Sequence, residues 1–449
     1  MTTVEPAAST PSVPSAPSIP SVPSVRLDPA DLHASLRDPA LLSMNFLNEV
    51  ANRFPDAISF APGRPCEDTF DLADLHRYLD AYAAYLTETK GYDRTRVHRE
   101  LFQYGRTKGI VHELIARQLA VDEGIAVDPE AVLVTVGAQE ALWLVLRALR
   151  ASDRDVVLAV APTYVGLTGA ARLLDFPVHP VGEGPDGVDL DDLLARIAAA
   201  RAEGLRPRAL YLVPDFSNPS GLSMSVSSRR RLLEIAAEQD LLLLEDNPYG
   251  FFQAVEGERP PTLKALDTGQ HVVYLGSLAK TCFPGARVGF AVADQRIAGP
   301  DGGLLADELS KAKSMLTVNT PPVSQALVGG MLLEHGGSLL RANERQIGIY
   351  RRNLDCLLRG LSRRLDGLEG VGWNTPAGGF FVGVTVPFPV TDELLDIAAT
   401  EHGVLFTPMR HFHDSEAAAR QMRLSCSYLT TEQIETGLDR LAKLITERL

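Results

Sequence analysis

The chain has 449 residues, of which 45% are apolar and 22% charged, and a formal net charge of −14. A chain of this length buries a large core, in more than one lobe, and the composition is that of an ordinary globular protein. The negative balance argues against nucleic acid or an anionic membrane as partner, and no apolar run approaches the length that spans a bilayer.

Residues 1–26 are rich in Ser, Pro, Ala and Val, with near-repeats such as Pro11-Ser12-Val13-Pro14-Ser15. Frequent proline favours an extended, solvated chain, so a disordered tail is expected. It carries no Lys or Arg before Arg26 and no unbroken apolar stretch, so a signal peptide is not expected. Four cysteines (Cys66, Cys282, Cys356, Cys426) show no paired spacing. That speaks against a disulfide framework or a zinc site and for a reducing cytoplasm.

Folded sequence begins near Leu27. Asp28-Pro29-Ala30-Asp31-Leu32 predicts a helix start, with one or two helices up to Phe54. Ala57 to Phe60 predicts a short strand that ends in the turn Ala61-Pro62-Gly63-Arg64-Pro65. Helical patterns follow from Leu72 to Leu86 and from Ile110 to Val121, with a polar segment and Gln103-Tyr104-Gly105 between them.

From there to about residue 295, apolar runs alternate with amphipathic helices. The runs are Val132–Thr135, Asp155–Val160, Ala209–Val213, Leu241–Leu244, His271–Gly276 and Val288–Ala293. This alternation predicts an α/β fold, a mostly parallel sheet with helices on both faces. Ligands of such sheets sit at the carboxyl ends of the strands. The polar clusters stand there: Gly137-Ala138-Gln139 turning into a helix, Pro162-Thr163-Tyr164, Pro214 to Gly221, Glu245 to Tyr249, and Ser277 to Lys280 with Arg287 beyond.

These groups make coherent chemistry. The Lys280 amine can form a Schiff base with a carbonyl cofactor. Ser277 and Arg287 can hold that cofactor's phosphate, as can the free N–H groups at the start of the helix after Val136. Asp246 can keep a pyridine nitrogen protonated, so that the ring draws electrons. Asn218 and Tyr249 can donate to a phenolic oxygen, and Tyr164 can stack on the ring.

Taken together, in this order, these motifs resemble the fold type I pyridoxal-phosphate aminotransferases of class I/II, in character the branch of kynurenine and 2-aminoadipate aminotransferases. The similarity runs from about Ala57 to the C-terminus. It implies a large, mostly parallel seven-stranded-type sheet domain with a smaller α+β domain, divided as a large domain over 76–335 and a small domain over 27–75 and 336–449. It implies pyridoxal 5'-phosphate as cofactor, and transamination between an L-amino acid and a 2-oxo acid through an internal aldimine at Lys280. Asp246 and Tyr249 are the other implied catalytic residues. Ala138, Gln139, Tyr164, Asn218, Ser277 and Arg287 complete the implied cofactor site. Tyr104 resembles the tyrosine that reaches the neighbouring subunit's phosphate, which implies a homodimer.

Gln421-Met422-Arg423-Leu424-Ser425 resembles the family's second arginine motif, with Arg423 on the substrate carboxylate, and Gly372 to Phe381 resembles the segment that lines the pocket. Gly63, Arg64, Asn218 and Phe381 are the other implied substrate contacts. The chain departs from the family pattern at Ala279, at Met409, at Arg64 and in the length of Thr87–Arg99. Arg64 has two readings: it faces a substrate with an acidic or hydrogen-bonding end, or it turns to solvent or pairs with Glu67 or Asp68. An oxidase, lyase or decarboxylase reaction is the alternative on the same scaffold. A regulator without activity is disfavoured, because the tail does not resemble a DNA-binding module.

Overall fold

A computed structural model of the chain describes residues 25–38, 41, 43, 49, 50, 52–255, 257–299, 302–413 and 415–449. Up to residue 24, the expected tail lies outside the described residues, and so does much of the helical region expected before Phe54. Asp28 there caps a single 3-10 turn, Pro29–Asp31, through its side chain.

The strands in chain order are β1 (Ile58–Ser59), β2 (Val132–Thr135), β3 (Asp155–Ala161), β4 (Val178–Gly184), β5 (Gly187–Val188), β6 (Arg206–Leu212) and β7 (Leu242–Asp246), then β8 (Val272–Ser277), β9 (Gly289–Val292), β10 (Gly372–Trp373), β11 (Phe381–Thr385), β12 (Val404–Leu405), β13 (Thr407–Pro408) and β14 (Gln421–Ser425). Among the described residues, the large sheet has the order β2-β9-β8-β7-β6-β3-β4-β5. The pairs β4–β3, β3–β6, β6–β7 and β7–β8 are parallel. β9 runs against both of its neighbours. The link from β8 to β9 has no crossover helix, and a parallel return needs one, so the chain comes back antiparallel.

The sequence does not announce β4, whose segment holds Pro177 and Pro180 and closes on glycines. Such a strand is tolerated towards a sheet edge, and β4 is covered on its outer side only by the two-residue β5.

Successive side chains of the large sheet enter different cores, because strand side chains alternate between faces. Leu133, Leu244, Val273 and Leu275 pack with the helices Gly137–Leu149, Val165–Leu173 and Leu305–Leu316. Leu243 and Val272 pack with Leu193, Ile197, Leu232 and Ile235 on the opposite face. A second sheet, β10-β11-β14-β13, is antiparallel. With the parallel pair β1–β12 it shares a core with the helices Glu344–Leu365 and Thr431–Thr446. Among the described residues, no helix is long and apolar enough to cross a membrane.

Candidate active site

The turns at the carboxyl ends of β3, β6, β7 and β8 open onto one cavity of about 500 Å³, closed from the far side by the turn after β1 and by β11 and β14. The expected residues Gly63, Arg64, Ala138, Gln139, Tyr164, Asn218, Asp246, Tyr249, Ser277, Lys280, Arg287, Phe381 and Arg423 all line it. Tyr104 does not: it lies beyond the helix Arg94–Phe102 and is 84% exposed.

Lys280 follows β8 and is half-buried, and its Nζ donates to Gly63 O at 2.6 Å. Burial, with Arg423, Arg287 and Arg64 nearby, pulls its pKa down to about 8. Gly63 is there for lack of room, since a Cβ would lie 2.4 Å from the Phe381 ring.

Asp246 ends β7. Its Oδ2 accepts from Tyr211 Oη at 2.7 Å, while its buried Oδ1 has no partner. Burial pushes this carboxyl up to about 6 against the hydrogen bond from Tyr211. Asn218 stands between two groups: its Oδ1 accepts from Arg423 Nη1 at 2.6 Å and its Nδ2 faces Tyr249 Oη at 3.5 Å. Tyr249 packs edge-on against Phe380 and Phe381, and burial raises its phenol above the ordinary range.

Gly137 begins its helix at φ +74°, and a Cβ there would lie 2.3 Å from Arg287 Nη2. The Arg287 guanidinium therefore lies against the first turn of the helix Gly137–Leu149, where unpaired N–H groups and a cation converge. Gln139 Nε2 donates to Gly166 O at 2.7 Å and ties this turn to the one that carries Tyr164. Burial pushes the Tyr164 phenol up to about 12.

Arg423, on β14, is 3% exposed. Its Nη2 donates to Ala61 O at 2.6 Å and to Thr407 Oγ1 at 3.3 Å, and its Nε has no partner. The guanidinium lies between the rings of Phe381 and Phe412, 4.4 and 4.9 Å from their centroids. Among the described residues no carboxylate pairs with it, and burial pulls its pKa down to about 10. A buried cation held by neutral groups is a seat for an anion.

Arg64 is exposed at the rim, over the Tyr428 ring at 5.4 Å. Among the described residues it makes no ion pair with Glu67 or Asp68. Phe381 faces the cavity, and Phe380 turns into the core beside Phe252 and Tyr350.

Sequence reading passed over two contributors. Tyr211, which holds Asp246, left a trace as the one polar tip inside the apolar run Ala209–Val213. Phe412 left none, because the contact is made only when the segment after β13 folds over Arg423.

The residues present fit pyridoxal phosphate on three observations: the orphaned Asp246 Oδ1, the anion seat of Gly137 and Arg287, and an amine with a lowered pKa. The sequence model of the family "Aminotransferase class I and II" matches residues 83–441. The chain belongs to this family. It is a pyridoxal-phosphate-dependent aminotransferase and moves an amino group between an amino acid and a 2-oxo acid. An oxidase, lyase or decarboxylase reaction is not favoured.

This aminotransferase is 57% identical to the (S)-3,5-dihydroxyphenylglycine transaminase of Amycolatopsis orientalis over 424 residues, 94% of this chain and 96% of the relative. It is 33% identical to the 2-aminoadipate transaminase of Thermus thermophilus, over 87% and 90% of the two chains. Among solved structures, the kynurenine aminotransferase of Pyrococcus horikoshii superposes with a TM-score of 0.77 at 27% identity, over 94% and 96% of the two chains. The kynurenine and 2-aminoadipate character read from the motifs agrees with these relatives.

Proposed function

We propose that this aminotransferase acts on an aryl-substituted glycine of the 3,5-dihydroxyphenylglycine type and its 2-oxo acid. The observation that carries the reading is the 57% identity to the Amycolatopsis enzyme over nearly all of both chains. The aromatic walls Tyr164, Phe381 and Phe412 support it. A purely acidic substrate has less support, because Arg64 is exposed at the rim and is not a buried cation in need of a carboxylate.

The cofactor, when bound, supplies an electron sink for charge left on the substrate α-carbon. Ser277, Arg287 and the N–H groups of Ala138 and Gln139 would hold its phosphate, Asp246 its ring nitrogen, Asn218 and Tyr249 its phenolic oxygen, and Tyr164 its ring face. The lowered pKa of Lys280 leaves more free amine near neutrality, so Lys280 serves as nucleophile and carries the α-proton. Arg423 binds the substrate carboxylate. Gly63, Arg64 and Phe381 border the side chain.

The enzyme works as a homodimer in which Tyr104 reaches the neighbouring site; its exposure outside its own cavity supports this. The large domain covers 76–335 and the small domain 27–75 with 336–449. That division is supported by the pairing of β1 with β12 and by the separate core of the second sheet. Four free thiols support a cytoplasmic location.

The test is the rate of 2-oxo acid formation from dihydroxyphenylglycine, phenylglycine, 2-aminoadipate, kynurenine and leucine. Aryl glycines are expected to have the highest kcat/KM. A preference for 2-aminoadipate or leucine would overturn the substrate reading, and a monomer by light scattering would overturn the dimer.

A further inference from the structure

The turn that carries Asn218 is held from outside the cavity. Ser220 Oγ donates to Glu183 Oε1 of β4 at 2.8 Å. On the other flank, Asn374 Nδ2 donates to Ser220 O at 2.5 Å, and Asn374 Oδ1 accepts from Gly383 N of β11 at 2.8 Å. Gly221, at φ +75°, donates its N–H to Ser217 O at 2.6 Å, and a Cβ on it would lie 2.5 Å from Phe381 O. The turn is thus clamped between the two sheets, two residues from the side chain that meets both Arg423 and Tyr249.

Behind the turn lies a separate small cavity of about 20 Å³, bordered by Thr163, Tyr164, Glu183, Tyr211, Ser217 and Asn218. Glu183 is the carboxyl on its wall, and the other titratable groups facing it are the phenols of Tyr164 and Tyr211. Among the described residues no cation pairs with Glu183, and burial pushes it up to about 7 against the bond from Ser220. A half-buried carboxyl without a cation gains nothing from charge pairing. Its contribution lies in the geometry it imposes.

We propose that Glu183 is a positioning residue: through Ser220 it seats the Ser217–Gly221 turn so that Asn218 stands between Arg423 and Tyr249. Without that bond the turn has room to move into the cavity behind it. Asn218 then releases Arg423 Nη1, on a guanidinium whose Nε already lacks a partner. A guanidinium then held by hydrogen bonds at Nη2 alone is less well aimed and binds a carboxylate less well, which raises KM more than it lowers kcat. The donor on the phenolic-oxygen side shifts as well, so the absorbance of the bound cofactor titrates at a different pH.

The inference rests on the assignment of Asn218 to the site, and the experiment separates the two. The holoenzyme is compared as wild type, Glu183→Ala, Ser220→Ala, the double variant, Glu183→Gln and Asn218→Ala. The readouts are KM and kcat with dihydroxyphenylglycine, the pH titration of cofactor absorbance, and the Tm of the cofactor-free protein. Each alanine variant should raise KM about tenfold, the loss expected for one hydrogen bond at a charged group. The double variant should be no worse than either, and Glu183→Gln, which still accepts from Ser220, should lie within about threefold of wild type. The absorbance titration should move in the alanine variants and stay in Glu183→Gln, with Tm preserved throughout. Additive losses, or an unmoved titration with unchanged KM, would overturn the proposal. If Asn218→Ala changes both readouts and the Glu183 and Ser220 variants change neither, only the positioning role falls. If Asn218→Ala is silent too, the assignment of Asn218 falls with it.

Discussion

Arg423→Met separates binding from stability, because the two effects have different sizes. Burial lowers the Arg423 pKa from 12.5 to about 10, which corresponds to about 3 kcal/mol against the charged form. Methionine removes that penalty and also removes the bonds to Asn218, Ala61 and Thr407, which, coming from a charged donor, are worth about 1.5–3 kcal/mol each. The relieved penalty offsets part of this, leaving a net loss of a few kcal/mol, so the cofactor-free variant of a chain this long should melt less than about 10 °C below wild type. Function has no such compensation. Two charge-assisted bonds to a substrate carboxylate are worth about 1.5–3 kcal/mol each, so kcat/KM should fall about a hundredfold to ten-thousandfold. Cofactor affinity should change little. The assays are steady-state kinetics with an amino acid and with a 2-oxo acid, calorimetry without cofactor, and a cofactor titration. An unchanged kcat/KM would remove Arg423 from substrate binding, and a Tm lower by about 10 °C or more would make it a structural residue.

Three other variants probe the cofactor side. Lys280→Ala should retain cofactor through Asp246, Ser277 and Arg287 while turnover falls by at least about a thousandfold; turnover like wild type in a quenched assay would refute the role of the amine. Asp246 is pushed up to about 6 in the folded protein, so between pH 4 and 6 the native state binds more protons than the unfolded chain. This group therefore contributes a loss of about 3 kcal/mol as pH rises through that window, beside the loss from other raised carboxyls such as Glu183, and Asp246→Asn should reduce the total by that amount in denaturant titrations at pH 4 and 7 while weakening cofactor binding. Gly137→Ala places a Cβ against the Arg287 guanidinium at a positive φ, so its cofactor dissociation constant, by absorbance titration, should rise about tenfold or more; an unchanged constant would remove that seat.

Much of the site was legible because its signals are local. Each polar cluster follows an apolar run within a few residues, and the end of a buried parallel strand is where such a cluster meets ligand. Lys280, Asp246, Asn218, Tyr164 and Gln139 could be found that way, and all of them line one cavity. β4 could not, since its prolines and glycines hide the strand pattern and its pairing partner is supplied from elsewhere in the chain.

The sequence alone determined the alternation of strand and helix, the polar residues at the strand ends, and the family they spell out. Tertiary structure decided which of those residues hold one another. Arg423 reaches Ala61 and Asn218 across 362 and 205 residues of chain, Phe412 closes over it from the segment after β13, and Arg64 lies on Tyr428 at the rim instead of pairing with its near neighbours Glu67 or Asp68. The reason is physical: periodicity and turn chemistry act over a few residues, whereas the partner of a buried charge is set by whichever distant backbone oxygen, amide or ring the packed sheets bring within reach.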